Sequence, residues 1–313
     1  RYTANVEMNN SYVFGGGNNQ AIINGSKPSG TPNADLKWEE SEQFDAGLDF
    51  GFFNNSLTFS IDYFKKKTNG MLKEMSIPTY LGESIPWGNV GDMENSGIEM
   101  DLGYRFRTGD WNFRIGANIS YLSNKLINLG NADGFDMFDN VHQLGNVSRA
   151  ENGEVYPYFY GYKTGGIFQN QAQVDAYVNS KGEKLQPNAQ AGDVIFIDVD
   201  GNGEINESDR TKIGKGNPDW TYGFNFQASW KDFDFSMLIS GTAGNDIFDA
   251  TRRLDLRYVN LPKEMMDRWH GEGTSNSMPR FSWTNENDNY RASDLYIKDG
   301  SYMRLKNIQL GYT

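Results

Sequence analysis

Cysteine is absent from this chain of 313 residues, and histidine occurs only twice. The first absence removes disulfides, thiol nucleophiles and cysteine metal sites, and is compatible with a cell envelope. The second leaves His142 and His270, and neither has nucleophile or metal-ligand spacing around it; no catalytic residue is assigned and the chain is not read as an enzyme. Any two of the many acids could be paired on paper as a glycosidase couple, but a pair drawn from so many carries no specificity. Clustered Lys and Arg are missing as well: 41 acidic residues against 29 basic ones give a net charge of −12, which excludes a nucleic-acid partner. No run of about 18 apolar residues occurs, so no helix can cross a membrane. The negative mean hydropathy does not count against a membrane barrel, because alternating strands dilute it.

What the sequence does contain is alternation. Phe44, Ala46, Leu48, Phe50 and Phe52 fall on one face of an extended run, and Asp45, Gly47, Asp49 and Gly51 fall on the other. After Asn54-Asn55 the pattern resumes with Leu57, Phe59, Ile61 and Tyr63 against Thr58, Ser60 and Asp62. Each run is about ten residues, the length of a tilted strand crossing a bilayer. A soluble half-buried hairpin gives the same pattern once. Here it recurs: Ile98 to Phe106 alternates with Glu99, Asp101, Gly103 and Arg105, and Trp111 to Tyr121 with Asn112, Arg114, Gly116, Asn118 and Ser120. Tyr222 to Trp230 and Phe233 to Ile239 form a third hairpin, and Ile308, Leu310 and Tyr312 close a last run. Tyr2 to Phe14 holds one weak strand, and Gly15 through Pro32 reads as a Gly, Asn and Ser-rich loop.

The connections are of two kinds. Turns at Asn54-Asn55, Thr108-Gly109-Asp110 and Lys231-Asp232 are very short, whereas the links 65–96, 123–220 and 242–300 are long. Short and long alternate, so strands running up and down place every short turn at one end and every long loop at the other. That asymmetry belongs to an antiparallel transmembrane β-barrel with short periplasmic turns and long extracellular loops. Phe52, Trp111, Trp230 and Phe233 sit beside the short turns, where an interfacial girdle lies. The region 123–220 is then a long extracellular loop, and the polar faces supply lumen-facing Asp45, Asp49, Asp62, Glu99, Asp101, Arg105, Arg114 and Asn118.

The long links have contents of their own. Val174 and Val178 share a face of a short helix over 171–178, and Pro262 opens a second in which Met265, Met266 and Trp269 share a face. Residues 198–209 place oxygen side chains at calcium-loop spacing: Asp198, Asp200 and Asn202 at the first, third and fifth positions, the Glu204 carbonyl at the seventh, Asn206 at the ninth and Asp209 at the last. Gly203 permits the sharp turn. Asp209 replaces the long Glu that chelates with both oxygens, and 194–197 reads as strand rather than helix, so this is a lone calcium-type loop and not a paired sensor. Its expected cofactor is a structural calcium ion; an Asp-rich turn without metal is the alternative.

Several ordered motifs resemble one family across nearly the whole chain. Asn33 to Glu39, Asp62 to Thr68, Asn89 to Glu99, Gly166-Ile167-Phe168, Asp198 to Arg210, Gly214 to Pro218, Arg268-Trp269, Pro279-Arg280 and Asp299 to Thr313 look like the barrel portion of a SusC/RagA-type TonB-dependent transporter of Bacteroidota. The resemblance implies a large plugged outer-membrane barrel, a SusD-like surface lipoprotein as partner, and import of glycan or peptide fragments driven by the TonB complex. It also implies a fragment: the strands are too few to close such a barrel, the plug and TonB box are outside this stretch, and Arg1-Tyr2-Thr3 begins without initiator Met or signal segment. The alternative is a soluble extracellular β-rich module that binds or hydrolyses carbohydrate and carries a structural calcium.

Overall fold

The computed structural model describes residues 6–16, 20–28, 33–75, 86–142, 144–251 and 260–313. It is almost entirely antiparallel β structure. Among the described residues, strands β1 (Val6–Phe14) and β2 (Ala21–Pro28) pair only with each other. The stretch expected as loop thus contains a strand, because Ala21, Ile22 and Ile23 extend opposite Phe14, Val13 and Tyr12 despite their polar surroundings. Residues 2–5, 17–19 and 29–32 of those expectations lie outside the described residues.

The main sheet begins with β3 (Glu40–Phe52), β4 (Leu57–Glu74), β5 (Trp87–Thr108) and β6 (Trp111–Asn128). Between β6 and β13 (Trp220–Trp230) lie β7 (Phe135–Asn140), β8 (Asn146–Glu151), β9 (Tyr158–Gly161), β10 (Thr164–Ile167), the short helix α1 (Gln171–Ala176), β11 (Val194–Phe196) and β12 (Thr211–Gly214). Strands β14 (Phe233–Ala243), β15 (Asp246–Phe248), β16 (Ile297–Asp299) and β17 (Tyr302–Tyr312) follow. Seven strands make one sheet in the order β17, β14, β13, β6, β5, β4, β3; they pair in chain order, with β7–β12 inserted between β6 and β13 and β15–β16 between β14 and β17, and the two edge strands leave the barrel open.

The short turns are where the spacing placed them. Phe53, Asn54 and Asn55 all take left-handed backbone between β3 and β4, Gly109 does so between β5 and β6, and Lys231 between β13 and β14. The strands run well past one bilayer thickness, however, with 18 residues in β4, 22 in β5 and 18 in β6. Apolar alternation stops at Tyr63, Ile98 and Tyr121: above them Lys65, Lys67, Glu94 and Lys125 take the outward positions, while Met71, Met93 and Leu126 pack beneath the loops on the other face, so the extensions carry no membrane-strand signal. The loop beyond β6 accordingly starts after Asn128 rather than at residue 123.

The sheet has no buried apolar core on its outward face. Leu48, Ile308 and Leu310 are 62%, 61% and 75% exposed, and an aromatic row crosses the strands at the short-turn end: Trp111 and Trp230 rings are 5.7 Å apart, Trp230 and Phe233 6.2 Å, Phe233 and Tyr312 4.8 Å. Tyr121 and Trp220, 4.8 Å apart, belong to a second row at the other end. From Trp111 to Tyr121 the outward residues climb about ten positions, roughly 34 Å at ~3.4 Å per residue. Tilted by about 45°, such a strand lifts the upper row about 25 Å above the lower, the height of the apolar band of outer-membrane barrels.

The buried cores lie in the loops instead. Tyr162, Ile167, Val194 and Phe196 form one cluster; Phe168, Val174 and Ala189 a second; Met265, Met278 and Tyr290 a third. The helix expected over 171–178 is present but shorter: α1 ends at Ala176 and buries Val174, whereas Val178 lies beyond it, 39% exposed and bridged to Lys184, so the two valines do not share a helical face. The segment after Pro262 is a 3₁₀ turn, Lys263–Asp267, in which Met265 is buried and Met266 is 71% exposed. Three residues per turn put these two side chains on different faces, contrary to the expectation of a shared one.

Candidate functional site: a polar wall and an acidic loop

The polar face is ordered in rows set by register. Asp62 lies opposite Glu99, Glu99 opposite Ser120, and Ser120 opposite Thr221. The next row toward the short turns reads Asp49, Ser60, Asp101, Asn118, Gly223. Asp62, Glu99, Asp101 and Asn118 share a concavity of about 370 Å³. Asp45 is on the same face, opposite Phe64 on β4. Further toward the short turns the sign reverses. Arg105 and Arg114 are directly opposed, Arg107 lies opposite Asn112, and the three arginines line a groove of about 690 Å³ with Gln227 and Asp234. Among the described residues none of the arginines has an ion-pair partner, and like charges directly opposite cost a ladder about 0.2–1 kcal/mol. Arg107 and Asp234 complete the wall beyond the residues named from sequence; the same alternation marks them.

Higher up, this same face receives the loops. Asn124 and Leu126 continue the row of Asn118 and Ser120 along β6. The Asn124 Nδ2 donates to Asn95 Oδ1 at 2.7 Å, while its Oδ1 accepts from Tyr156 N at 2.9 Å. Leu126, 1% exposed, is packed with Leu129 and Ala150 against Met71, Met93, Phe138 and Tyr156. The sheet of β12, β9, β8 and β7 is therefore anchored on the polar side of the wall and not on its apolar side. Gly97 makes a close approach possible nearby: the Phe64 ring lies over it, and a Cβ there would sit 2.6 Å from that ring and against the Tyr121 carbonyl.

The acidic loop is held by its own backbone. Asp198 accepts from Gly201 N at 2.8 Å and from Gly203 N at 2.9 Å. Burial works against its charged form, but these N–H groups outweigh it and hold the carboxyl below the ordinary range. Asp209, fully buried, accepts from Val199 N and Asn206 N, both at 2.8 Å. Asp200 accepts from Asn202 N, Asn202 from Glu204 N, and Asn206 caps the 3₁₀ turn Glu207–Asp209 through Ser208 N. Carboxylate oxygens of Asp198, Asp200 and Asp209 lie within 4.8 Å of one another. Each ionised carboxylate offers about four lone-pair sites, so the backbone bonds leave capacity directed into the cluster, and a hard divalent cation suits three such oxygens.

A second polar centre had no sequence counterpart. Asp193 is fully buried and receives Arg280 Nε at 2.7 Å and Asn289 Nδ2 at 2.8 Å. Gln186 and Asn287 extend it to the Val194 carbonyl. The run Asn285 to Asn289 and the Pro279-Arg280 pair were its only visible signals. His142 and His270 each face a backbone carbonyl at 3.0 Å, of Ala250 and Arg268, in separate loops.

A sheet with one lipid-compatible face, aromatic rows about a membrane apart and folded loops at one end defines a segment of an outer-membrane β-barrel wall. The chain belongs to the TonB-dependent receptor-like β-barrel family, whose family model matches residues 3–313. TonB-dependent receptor P3 of Formosa agariphila is 34% identical over 93% of this chain and 28% of its own length. TonB-dependent receptor SusC of Bacteroides thetaiotaomicron is 26% identical over 90% of this chain and 26% of its own length. Among solved structures, the RagAB peptide transporter superposes over 99% of this chain with a TM-score of 0.72 at 24% identity, the chain covering 32% of it. The chain thus spans under a third of the relatives it matches. It is an outer-membrane segment of SusC/RagA type, and the soluble-module alternative is set aside.

Proposed function

We propose that the intact protein imports oligosaccharide or peptide fragments across the outer membrane, driven by the TonB complex and working with a SusD-like surface lipoprotein. The observation that carries this reading is the side on which the loops are anchored. They fold over the polar face through Asn124, Leu126 and their partners, so they stand over the wall that lines the lumen, where a substrate enters. Asp45, Asp49, Asp62, Glu99, Asp101, Asn118, Arg105 and Arg114 are the wet surface such a substrate passes. A wall of short polar side chains and charges at different depths suits solutes that keep their hydration. The relatives are named as receptors, which favours transport over catalysis.

Asp198, Asp200, Asn202, Asp209 and the Glu204 carbonyl, with Asn206 directly or through water, hold a calcium ion in this reading. Its role is structural, since it relieves the repulsion of three converging carboxylates and fixes the segment leading to Trp220. Uptake by cells of labelled oligosaccharide and peptide libraries, with and without the gene, tests the transport reading. Loss of uptake of one class on deletion supports it; unchanged uptake of every class overturns it.

A further inference from the structure

We infer that the arginine groove at the short-turn end of the wall is an anion site that selects acidic oligosaccharides, with Arg105, Arg107 and Arg114 receiving the carboxylates of uronic-acid units. This rests on the import reading and narrows it to one substrate class. Arg105 and Arg114 are directly opposed across β5 and β6, and Arg107 follows Arg105 two positions along the same face. All three are exposed, and neighbouring guanidinium groups are rooted about 5–7 Å apart. Left bare, such a row repels itself; an anion held between the arginines turns that repulsion into attraction.

The wall keeps its own acids from filling that role. Between the arginines and the acidic row above them lies the step Thr58, Gly103, Gly116 and Asn225 in register, half of it without side chains. Asp101 and Arg105 are four residues apart, about 14 Å along the strand, and no ion pair joins the three arginines to a described residue. Asp234 is the one acid among the residues that line the groove. Counting the turns beneath as well, where Asp110 and Asp232 accompany Lys231, four cations stand against three acids and the balance stays positive. In a chain of net charge −12 this is a local reversal of sign.

The rest of the lining selects the kind of anion. Ser56, Asn112, Gln227, Ser229 and Ser236 supply hydroxyl and amide groups that both donate and accept, as a hydroxyl-rich ring requires. Phe106 and Phe113 belong by alternation to the outward face, where their rings stack 4.7 Å apart, so the groove has no apolar pocket for peptide side chains. A planar guanidinium takes a carboxylate through two parallel N–H···O bonds. The volume of about 690 Å³ is that of a site for a small ligand.

The test is calorimetry on the intact protein in detergent, with trigalacturonic acid and, as neutral control, the same trisaccharide with its carboxyl groups reduced to alcohols. The acid should bind more tightly than the control. Arg105→Gln with Arg114→Gln should weaken the acid about a hundredfold, roughly tenfold for each charge-assisted contact removed. Arg105→Lys, which keeps the charge and loses the fork, should weaken it less than Arg105→Gln, and Asp234→Asn should tighten it. Unaltered heat-modifiable migration on gels establishes that each variant still forms its barrel. Equal affinity of wild type for acid and control overturns the inference. So does an unchanged preference for the acid in the folded double variant, which would mean that another part of the protein neutralises the arginines. Triglutamate binding as tightly as trigalacturonic acid overturns the substrate class. Because binding is measured apart from uptake, a preference for the acid stands even where cells import nothing, and cells that import only neutral sugars or peptides refute this inference while import itself stands.

Discussion

Arg280 reaches a fully buried carboxylate on a distant part of the chain, its Nε 2.7 Å from Asp193 Oδ1. The pair ties the segment between β15 and β16 to the loop before β11, and Asn289 completes it. Removing one partner strands a buried charge, which costs about 3–5 kcal/mol. Arg280→Met should therefore loosen the loop assembly and speed hydrogen exchange around Val194 and Phe196, with the exchange of β13 and β14 amides unchanged. Unaltered exchange throughout the loops would show that the pair holds nothing together.

Calcium removal should act on one segment only. Chelation, or Asp198→Ala with Asp200→Ala, should expose 198–220 to proteases while the barrel still assembles, since the wall strands do not depend on this loop. Calorimetry on the intact protein checks the premise, and an absence of calcium binding there refutes it.

The two kinds of connection give a topology prediction. Epitope tags inserted at Lys181-Gly182 should be labelled on intact cells, and tags at Asn54-Asn55 or Gly109 should be labelled only after the membrane is opened. Surface labelling at the short turns would invert the orientation.

Tyr158 donates its hydroxyl to Glu151 within the loop sheet. Burial first, and then that carboxylate, push its pKa well above the ordinary tyrosine value. The unfolded tyrosine titrates at about 10, so the folded form keeps the proton longer. Its contribution to stability is complete below about pH 10 and is lost as pH rises above it. The stability gap between wild type and Tyr158→Phe in the loop sheet should shrink above pH 10, as read by amide exchange. A gap independent of pH would mean that the hydroxyl is not protected in the fold.

How much of this was readable in advance follows from where the physics is local. Inside the membrane one face must be apolar, so Phe44 to Phe52 or Trp111 to Tyr121 announce strands, and the short turns announce their pairing. Above the membrane that constraint ends: Lys65, Lys67, Glu94 and Lys125 continue the strands with no alternation to reveal them. The acidic loop was readable because its ligating atoms are close in sequence. Asp193 and Arg280 were not, being 87 positions apart, and the Gly, Asn and Ser-rich composition around Ala21 hid a strand that only its partner defines.

The central claim is that alternate residues of these strands face lipid and water. Spin labels placed one at a time at Phe224, Asn225, Phe226 and Gln227 on β13 of the intact protein test it, because this chain contributes no cysteine of its own. Labels at 224 and 226 should collide with dissolved oxygen, and labels at 225 and 227 with a water-soluble nickel complex. Accessibility that does not alternate, or that alternates in the opposite phase, would contradict the assignment of the two faces.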